Sequence, residues 1–207
     1  MKILNNIRKF VSPSSRTIIF GFFGVIIIGT LMLMLPVATA DGKGAGLIEA
    51  LFTSTSAVCV TGLVVKDTAT YWSLFGKIII IMLIQIGGLG VVMIGVTIAR
   101  LSGKKIGLMQ RSTLQETISA PQVGGVVKLA WFIIKTAFLI ELIGAVLLSL
   151  VFIPEFGVLK GISYSVFHSI SAFCNAGFDL MGEKQPLSSL TMYSENIIVN
   201  VVIMALI

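Results

Sequence analysis

The residues of this sequence best placed to do chemistry are two short segments that read as copies of one another. Phe52-Thr53-Ser54-Thr55-Ser56-Ala57-Val58-Cys59-Val60-Thr61-Gly62-Leu63 aligns without a gap on Phe167-His168-Ser169-Ile170-Ser171-Ala172-Phe173-Cys174-Asn175-Ala176-Gly177-Phe178, with Phe, two Ser, Ala, Cys and Gly identical. Each copy closes on a tetrapeptide that ends in glycine, Cys59-Val60-Thr61-Gly62 and Cys174-Asn175-Ala176-Gly177. The chemistry such a strand offers lies in its backbone, because a row of carbonyl oxygens can replace the hydration shell of an ion. Glycine is the residue expected where the chain must take an unusual φ while aiming its carbonyl. The stretches just before, Leu47 to Val58 and Ile162 to Phe173, each read as about three turns of helix. The partially negative C-terminal end of each helix would then favour a cation at the same place.

The elements that position these segments are membrane spans. Hydrophobic residues make up 56% of the chain and charged residues 12%, and the mean hydropathy of +1.03 is far from that of an ordinary soluble domain. Thr17 to Pro36, Ile78 to Ala99 and Leu129 to Ile153 are each long enough to cross a hydrocarbon core, which takes roughly 20 helical residues. A further apolar run starts near Asn196 and reaches Ile207, too short to span, so the chain is expected to be a fragment of a longer protein. The repeat offset also pairs Ile28-Gly29 with Ile143-Gly144, Leu33 with Leu148 and Leu35 with Leu150. The duplicated unit is therefore span, polar loop, span. Residues 1–110 form the first unit, with a pore loop at 47–63, and residues 111–207 the second, with a pore loop at 162–178.

Basic residues set the expected orientation, since they resist translocation. Lys2, Arg8, Lys9 and Arg16 precede the first span, and Arg100, Lys104, Lys105, Arg111 and Lys128 lie in the 100–128 loop with one acid, Glu116. Both segments are assigned to the cytoplasm and both polar loops to the outside, in a multi-pass protein of the plasma membrane. The net charge of +6 is a topology signal and gives no reason to expect nucleic-acid binding. The first run is longer than a secretory h-region of about 7–15 residues and pairs with the second repeat, so it is read as a span rather than a signal peptide. Two full spans separate the repeats, so both point the same way. Such repeats are related by an axis along the membrane normal, and polar loops around that axis build a central pore.

With these segments in view, the sequence resembles the Trk/Ktr/HKT potassium transporter superfamily, most closely its KtrB-type membrane subunits. The resemblance is carried by Thr55-Ser56-Ala57-Val58-Cys59-Val60-Thr61-Gly62-Leu63, Gln85-Ile86-Gly87-Gly88-Leu89-Gly90 and Phe173-Cys174-Asn175-Ala176-Gly177-Phe178-Asp179. It implies an all-α integral membrane fold, potassium-channel-like, in which four such units make a pseudo-tetrameric pore with one filter glycine each. By that pattern Gly62 and Gly177 are the first two, and the third and fourth units lie beyond this sequence. The resemblance further implies K⁺ as the transported ion, Na⁺ as a coupling or activating ion, and a homodimer in the full-length family. A KtrA-like cytosolic ring of nucleotide-binding regulatory subunits is the implied partner, and ATP or ADP would bind there, leaving this chain without a cofactor.

The remaining noteworthy residues have plainer readings. Cys59 and Cys174 occupy equivalent positions and are expected as small buried residues behind the filter. His168 is the only histidine, so a hydrogen-bonded place on the pore helix is expected rather than a metal site. Gly87, Gly88 and Gly90 sit mid-span with no following Lys, which argues for close packing over phosphate binding. Glu141 lies mid-span, six residues from Lys135 and about 240° around the helix from it; it is open between structural hydrogen bonding and a functional role. Tyr71, Trp72 and Trp131 fit interfacial belts, and 101–125 a short interfacial helix. The reading is a K⁺ uptake subunit without covalent chemistry. The alternatives are a non-conducting fragment or assembly subunit, and a re-entrant-hairpin secondary carrier for another cation. An intramembrane enzyme finds no catalytic motif in this sequence.

Overall fold

The computed structural model describes residues 13–103, 105–184 and 188–207. Lys2, Arg8, Lys9 and Lys104, four of the basic residues used for orientation, lie outside the described residues. The elements are helical: α1 (Pro13–Leu33), α2 (Leu47–Val58), a single turn α3 (Thr68–Tyr71), α4 (Leu74–Leu89), α5 (Val91–Leu101), α6 (Leu108–Thr117), α7 (Val126–Phe156), α8 (Val158–Phe173) and α9 (Ile197–Leu206). No strand occurs among the described residues, only one isolated antiparallel bridge, Thr39 to Trp72.

Two of these helices, α1 and α7, are long and apolar enough to cross a membrane, with mean hydropathies of 2.1 and 2.5 over their apolar windows. Phe20, Phe23, Ile28, Leu142 and Leu150 are all at least half exposed on them. Such a density of bare large apolar side chains is what a hydrocarbon solvent covers. Helix α1 stops at Leu33 because Leu35, which precedes Pro36, is held extended at ψ 142°. Helix α7 carries Pro154 near its end and terminates at Gly157, whose φ of 82° no ordinary residue adopts easily.

The run Ile78–Ala99, expected as one span, is divided. Helices α4 and α5 meet at Gly90, φ 87°, and bend by 100° there. The bend turns α5 back onto α6 and α7, where Leu89, Met93, Val96, Leu114, Val126, Ala130 and Ile134 form a small core of their own. Helix α6 does form within 101–125, but Leu114 is fully buried in that core while Leu108 and Met109 are exposed. The larger core joins both repeats, running from Leu33, Ala50, Ala57 and Ile80 to Leu148, Phe152, Phe167 and Phe178.

The duplication is visible atom by atom. Ser54 Oγ donates to the Ile26 carbonyl at 2.9 Å, and its counterpart Ser169 Oγ donates to the Glu141 carbonyl at 2.6 Å. Each bond ties a short helix to the span before it. The paired glycines Gly29 and Gly144 make room for this: a Cβ on either would lie 2.5 Å from the serine Oγ of its own repeat. The other side of that space is filled by Leu83 in the first repeat and Leu206 in the second. Trp72, expected in an interfacial belt, is instead 2% exposed and packs edge-on to Tyr71 at 4.9 Å between centroids. Trp131 has cations on it, with Arg100 and Lys135 each 5.2 Å from the ring centroid.

Candidate functional site

The two short helices α2 and α8 end in the same way. Cys59 N–H bonds to Thr55 O at 2.8 Å, Val60 N–H to Ala57 O at 3.3 Å and Thr61 N–H to Ser56 O at 3.0 Å. In the second repeat Cys174 N–H bonds to Ile170 O at 2.9 Å, Asn175 N–H to Ala172 O at 2.8 Å and Ala176 N–H to Ser171 O at 2.7 Å. The last two bonds of each set form a Schellman termination, which requires the residue after the cap to be left-handed. Val60 and Asn175 fill that place at φ 56° and 54°. Asparagine tolerates it, but a β-branched residue there is strained.

The tetrapeptides are therefore not extended along their whole length. Cys59 and Cys174 have helical φ/ψ of −85°, 0° and −77°, −2°, so the first two residues of each tetrapeptide close a helix and only the last two lead away. Both cysteines are free thiols, and neither is buried as expected: each closes a helix end, which leaves Cys59 exposed and Cys174 half-buried. Gly62 and Gly177 then take positive φ again, 73° and 70°. These glycines meet, since a Cβ on Gly62 would stand 2.8 Å from Ala176 O and 3.4 Å from Gly177 Cα. Among the described residues, no N–H or O–H donor reaches the carbonyl oxygens of residues 59–62 or 174–177. The eight carbonyls near the two touching glycines form an open nest, with Cys59, Thr61, Asn175 and Gly177 exposed, so that solvent or an ion can pair with them.

Three supports hold this arrangement. Ser56 Oγ and Thr61 Oγ1 share a hydrogen bond of 2.9 Å, and the equivalent Ser171 Oγ donates to Phe178 O at 2.6 Å. His168 is 1% exposed, with Nδ1–H donating to Tyr164 O at 2.7 Å and Nε2 accepting from Leu180 N–H at 3.2 Å. Its ring thus pins the chain that leaves Gly177, the hydrogen-bonded place the sequence led us to expect. Gly87 and Gly88 are the third support. A Cβ on Gly87 would collide with the Val58 carbonyl oxygen and one on Gly88 would lie 2.5 Å from Cys174 Sγ. Adjacent glycines of α4 thus seat the ends of both short helices. The serines were missed as site residues, although their identity between the repeats was the available signal.

At the other end of α2 from this centre, its first turn carries a polar cluster. Tyr71 Oη donates to Glu49 Oε2 at 2.7 Å, and Lys66 Nζ lies 3.2 Å from Glu49 Oε1. The Tyr71 hydrogen bond, with Lys66 adding to it, holds the Glu49 carboxyl below the usual carboxylate range. Burial, with Glu49 adding to it, pushes the Tyr71 phenol up to about 12. The second repeat has a similar trio, in which Tyr193 Oη donates to Glu155 Oε2 at 2.6 Å and Lys184 pairs with Glu155. Deeper in, Gln85 Nε2 on α4 donates to Glu141 Oε1 on α7 at 2.7 Å. No group of three or more His, Cys, Asp and Glu suited to a metal ion occurs among the described residues.

Comparison with known proteins bears on the family. The family model of TrkH, described as a cation transport protein, matches residues 10–207. The chain is 46% identical over 187 residues to the potassium/sodium uptake protein NtpJ of Enterococcus hirae, covering 90% of this chain and 41% of that protein. It is 46% identical over 172 residues to the Ktr system potassium uptake protein B of Bacillus subtilis, covering 83% of this chain and 38% of the relative. To the protein of the same name in Vibrio alginolyticus it is 38% identical over 183 residues, 86% of this chain and 40% of the relative. The chain thus spans about two fifths of the length of these relatives.

Proposed function

Because this chain belongs to the TrkH family of cation transport proteins, an all-helical family of membrane transporters rather than enzymes, we propose that it supplies two of the four sides of a K⁺ uptake pore. The backbone carbonyls of Cys59, Val60, Thr61 and Gly62 and of Cys174, Asn175, Ala176 and Gly177 coordinate the dehydrated ion in place of water. The observation that carries this reading is the pair of matched Schellman termini that bring Gly62 and Gly177 together with their carbonyls unpaired. Helices α2 and α8 add their negative ends at the same point. Residues 1–110 and 111–207 are the two parallel span–loop–span units, with α4 and the bent α5 forming the second wall of the first. The N-terminus and the 100–128 loop face the cytoplasm and the glycine loops face outside, as the basic residues direct.

The named relatives extend this reading. One is named for both potassium and sodium uptake, which favours Na⁺ as a second ion, coupled or activating. Two are named as parts of a Ktr system, which favours a multi-component assembly. A homodimer on a cytosolic ring of nucleotide-binding subunits fits that assembly, with any nucleotide on the ring. The testing experiment is growth of a K⁺-uptake-deficient host at low potassium on the full-length protein carrying Gly62→Ser or Gly177→Ser. Both variants are expected to reach the membrane and fail to restore growth. Growth equal to the parent would remove the assignment.

A further inference from the structure

Glu141 and Gln85 leave two oxygens without partners in the middle of the protein. Glu141 is 4% exposed, and its Oε1 accepts from Gln85 Nε2. Glu141 Oε2 and Gln85 Oε1 are both buried and have no hydrogen-bond partner. An ionised carboxylate accepts only, as does an amide oxygen, so the pair as a charged species strands two acceptors. It would also strand a charge. No Lys or Arg pairs with Glu141 among the described residues, and Lys135 on the same helix is taken up at Trp131. A buried carboxylate without a partner loses its hydration with nothing to replace it.

We propose that Glu141 binds a proton at Oε2 and donates it to Gln85 Oε1, closing a two-bond acid–amide ring between α4 of the first repeat and α7 of the second. One proton satisfies both orphaned oxygens and removes the charge. Rotating the Gln85 amide, an assignment rather than an observation, gives the same ring with the proton on Glu141 Oε1, because the two facing oxygens still need one proton between them. A metal cation is the poorer ligand here, because two oxygens do not replace a hydration shell. The titratable neighbours do not change this balance. Cys174 at the end of α8 faces Glu141. On α8, Lys160 pairs with Glu183 and His168 bonds Tyr164 and Leu180. Arg100 on α5 sits on Trp131, Arg111 on α6 bonds the Ile106 carbonyl, and Glu116 on α6 would only add negative charge. α9 has no titratable side chain. The ring fastens the two repeats behind Cys174 without placing a fixed charge beside the carbonyl nest. It stands independently of the filter assignment.

The test is infrared spectroscopy of the full-length protein in lipid nanodiscs at neutral pH. The parent is expected to show a protonated-carboxyl C=O band that is lost in Glu141→Gln, a variant whose amide preserves both ring bonds. An unchanged band in Glu141→Gln, or no such band in the parent, would overturn the proposal. A second variant, Gln85→Leu, keeps the acid and removes its acceptor. Its band must move to higher frequency, and a band at the parent's position there would overturn the ring even if Glu141→Gln did not fold.

Discussion

Gly62 and Gly177, from different repeats, approach so closely that a Cβ on either would lie 3.4 Å from the Cα of the other. Both also hold positive φ, 73° and 70°. A side chain at either place therefore meets a backbone that cannot yield and a conformation that costs L-residues roughly 1–2 kcal/mol. The neighbouring positions differ between repeats, Thr61 facing Ala176 and Val60 facing Asn175 in the alignment. Selectivity should thus rest on the glycine ring, with K⁺ preferred and Rb⁺ passing measurably. In ion-replacement uptake assays, Gly177→Ser should lower apparent K⁺ affinity about tenfold or more, the equivalent of roughly 1.4 kcal/mol. Thr61→Ser, which keeps the hydroxyl bonded to Ser56, and Asn175→Ser should change it less. The reverse ranking would contradict the single-ring account.

A second prediction separates the two glycines of α4. The Cβ of Gly87→Ala would meet main-chain atoms of Val58, with its carbonyl carbon at 2.8 Å and Cα at 3.0 Å. The Cβ of Gly88→Ala would meet the Cys174 side chain, Sγ at 2.5 Å and Cβ at 2.7 Å. Rotating the thiol relieves the Sγ contact and leaves only that with Cβ, whereas every contact at Val58 is with main chain. Overpacking of this kind typically costs 1–3 kcal/mol, so Gly87→Ala should sit at or above the upper end and Gly88→Ala lower. Gly95→Ala, which meets nothing within 4 Å, is the control and should be nearly neutral. Thermal unfolding in detergent gives the order, and equal losses at 87 and 95 would refute it.

Much of this architecture could be read from the residues, and the parts that could not share a cause. The Leu47–Val58 helix ends where composition places it, because the duplicated segment marks its own boundary. The second short helix starts one turn earlier than expected, at Val158, since the break at Gly157 is a matter of φ and leaves no trace in hydropathy. Gly90, expected as a packing glycine, is instead the bend for the same reason: the apolar run continues through it while the chain turns by 100°. At the site, the glycines were legible through repetition, but the left-handed Val60 was not, as its residue type argues against that conformation. Gln85 and Glu141 were each visible as polar residues in apolar runs. Their pairing, across 56 positions, is a product of the helix packing.

The polar cluster on α2 predicts a flat stability profile with two limbs. Glu49 titrates below its ordinary 4.5 in the folded protein, so its contribution is full above 4.5 and is lost as the pH falls through the lowered value. Tyr71 titrates above its ordinary 10.0, at about 12, so its contribution is full below 10.0 and is lost as the pH rises toward 12. Between these limits neither group should move the unfolding temperature. Tyr71→Phe removes the main influence that lowers Glu49, so the acid limb should still begin near 4.5 but end at higher pH and be smaller than in the parent. Coincident acid limbs for the two proteins would show that the Tyr71 hydrogen bond has no hold on Glu49.

The most direct measurement is anomalous scattering from Rb⁺ in crystals of the full-length protein grown with Rb⁺ in place of K⁺. A peak is expected between the chain segments at Gly62 and Gly177, within coordinating distance of their carbonyl oxygens, and it should vanish in Gly177→Ser. Density that avoids both glycines, or that is unchanged in Gly177→Ser, would contradict the claim that these carbonyls select the ion.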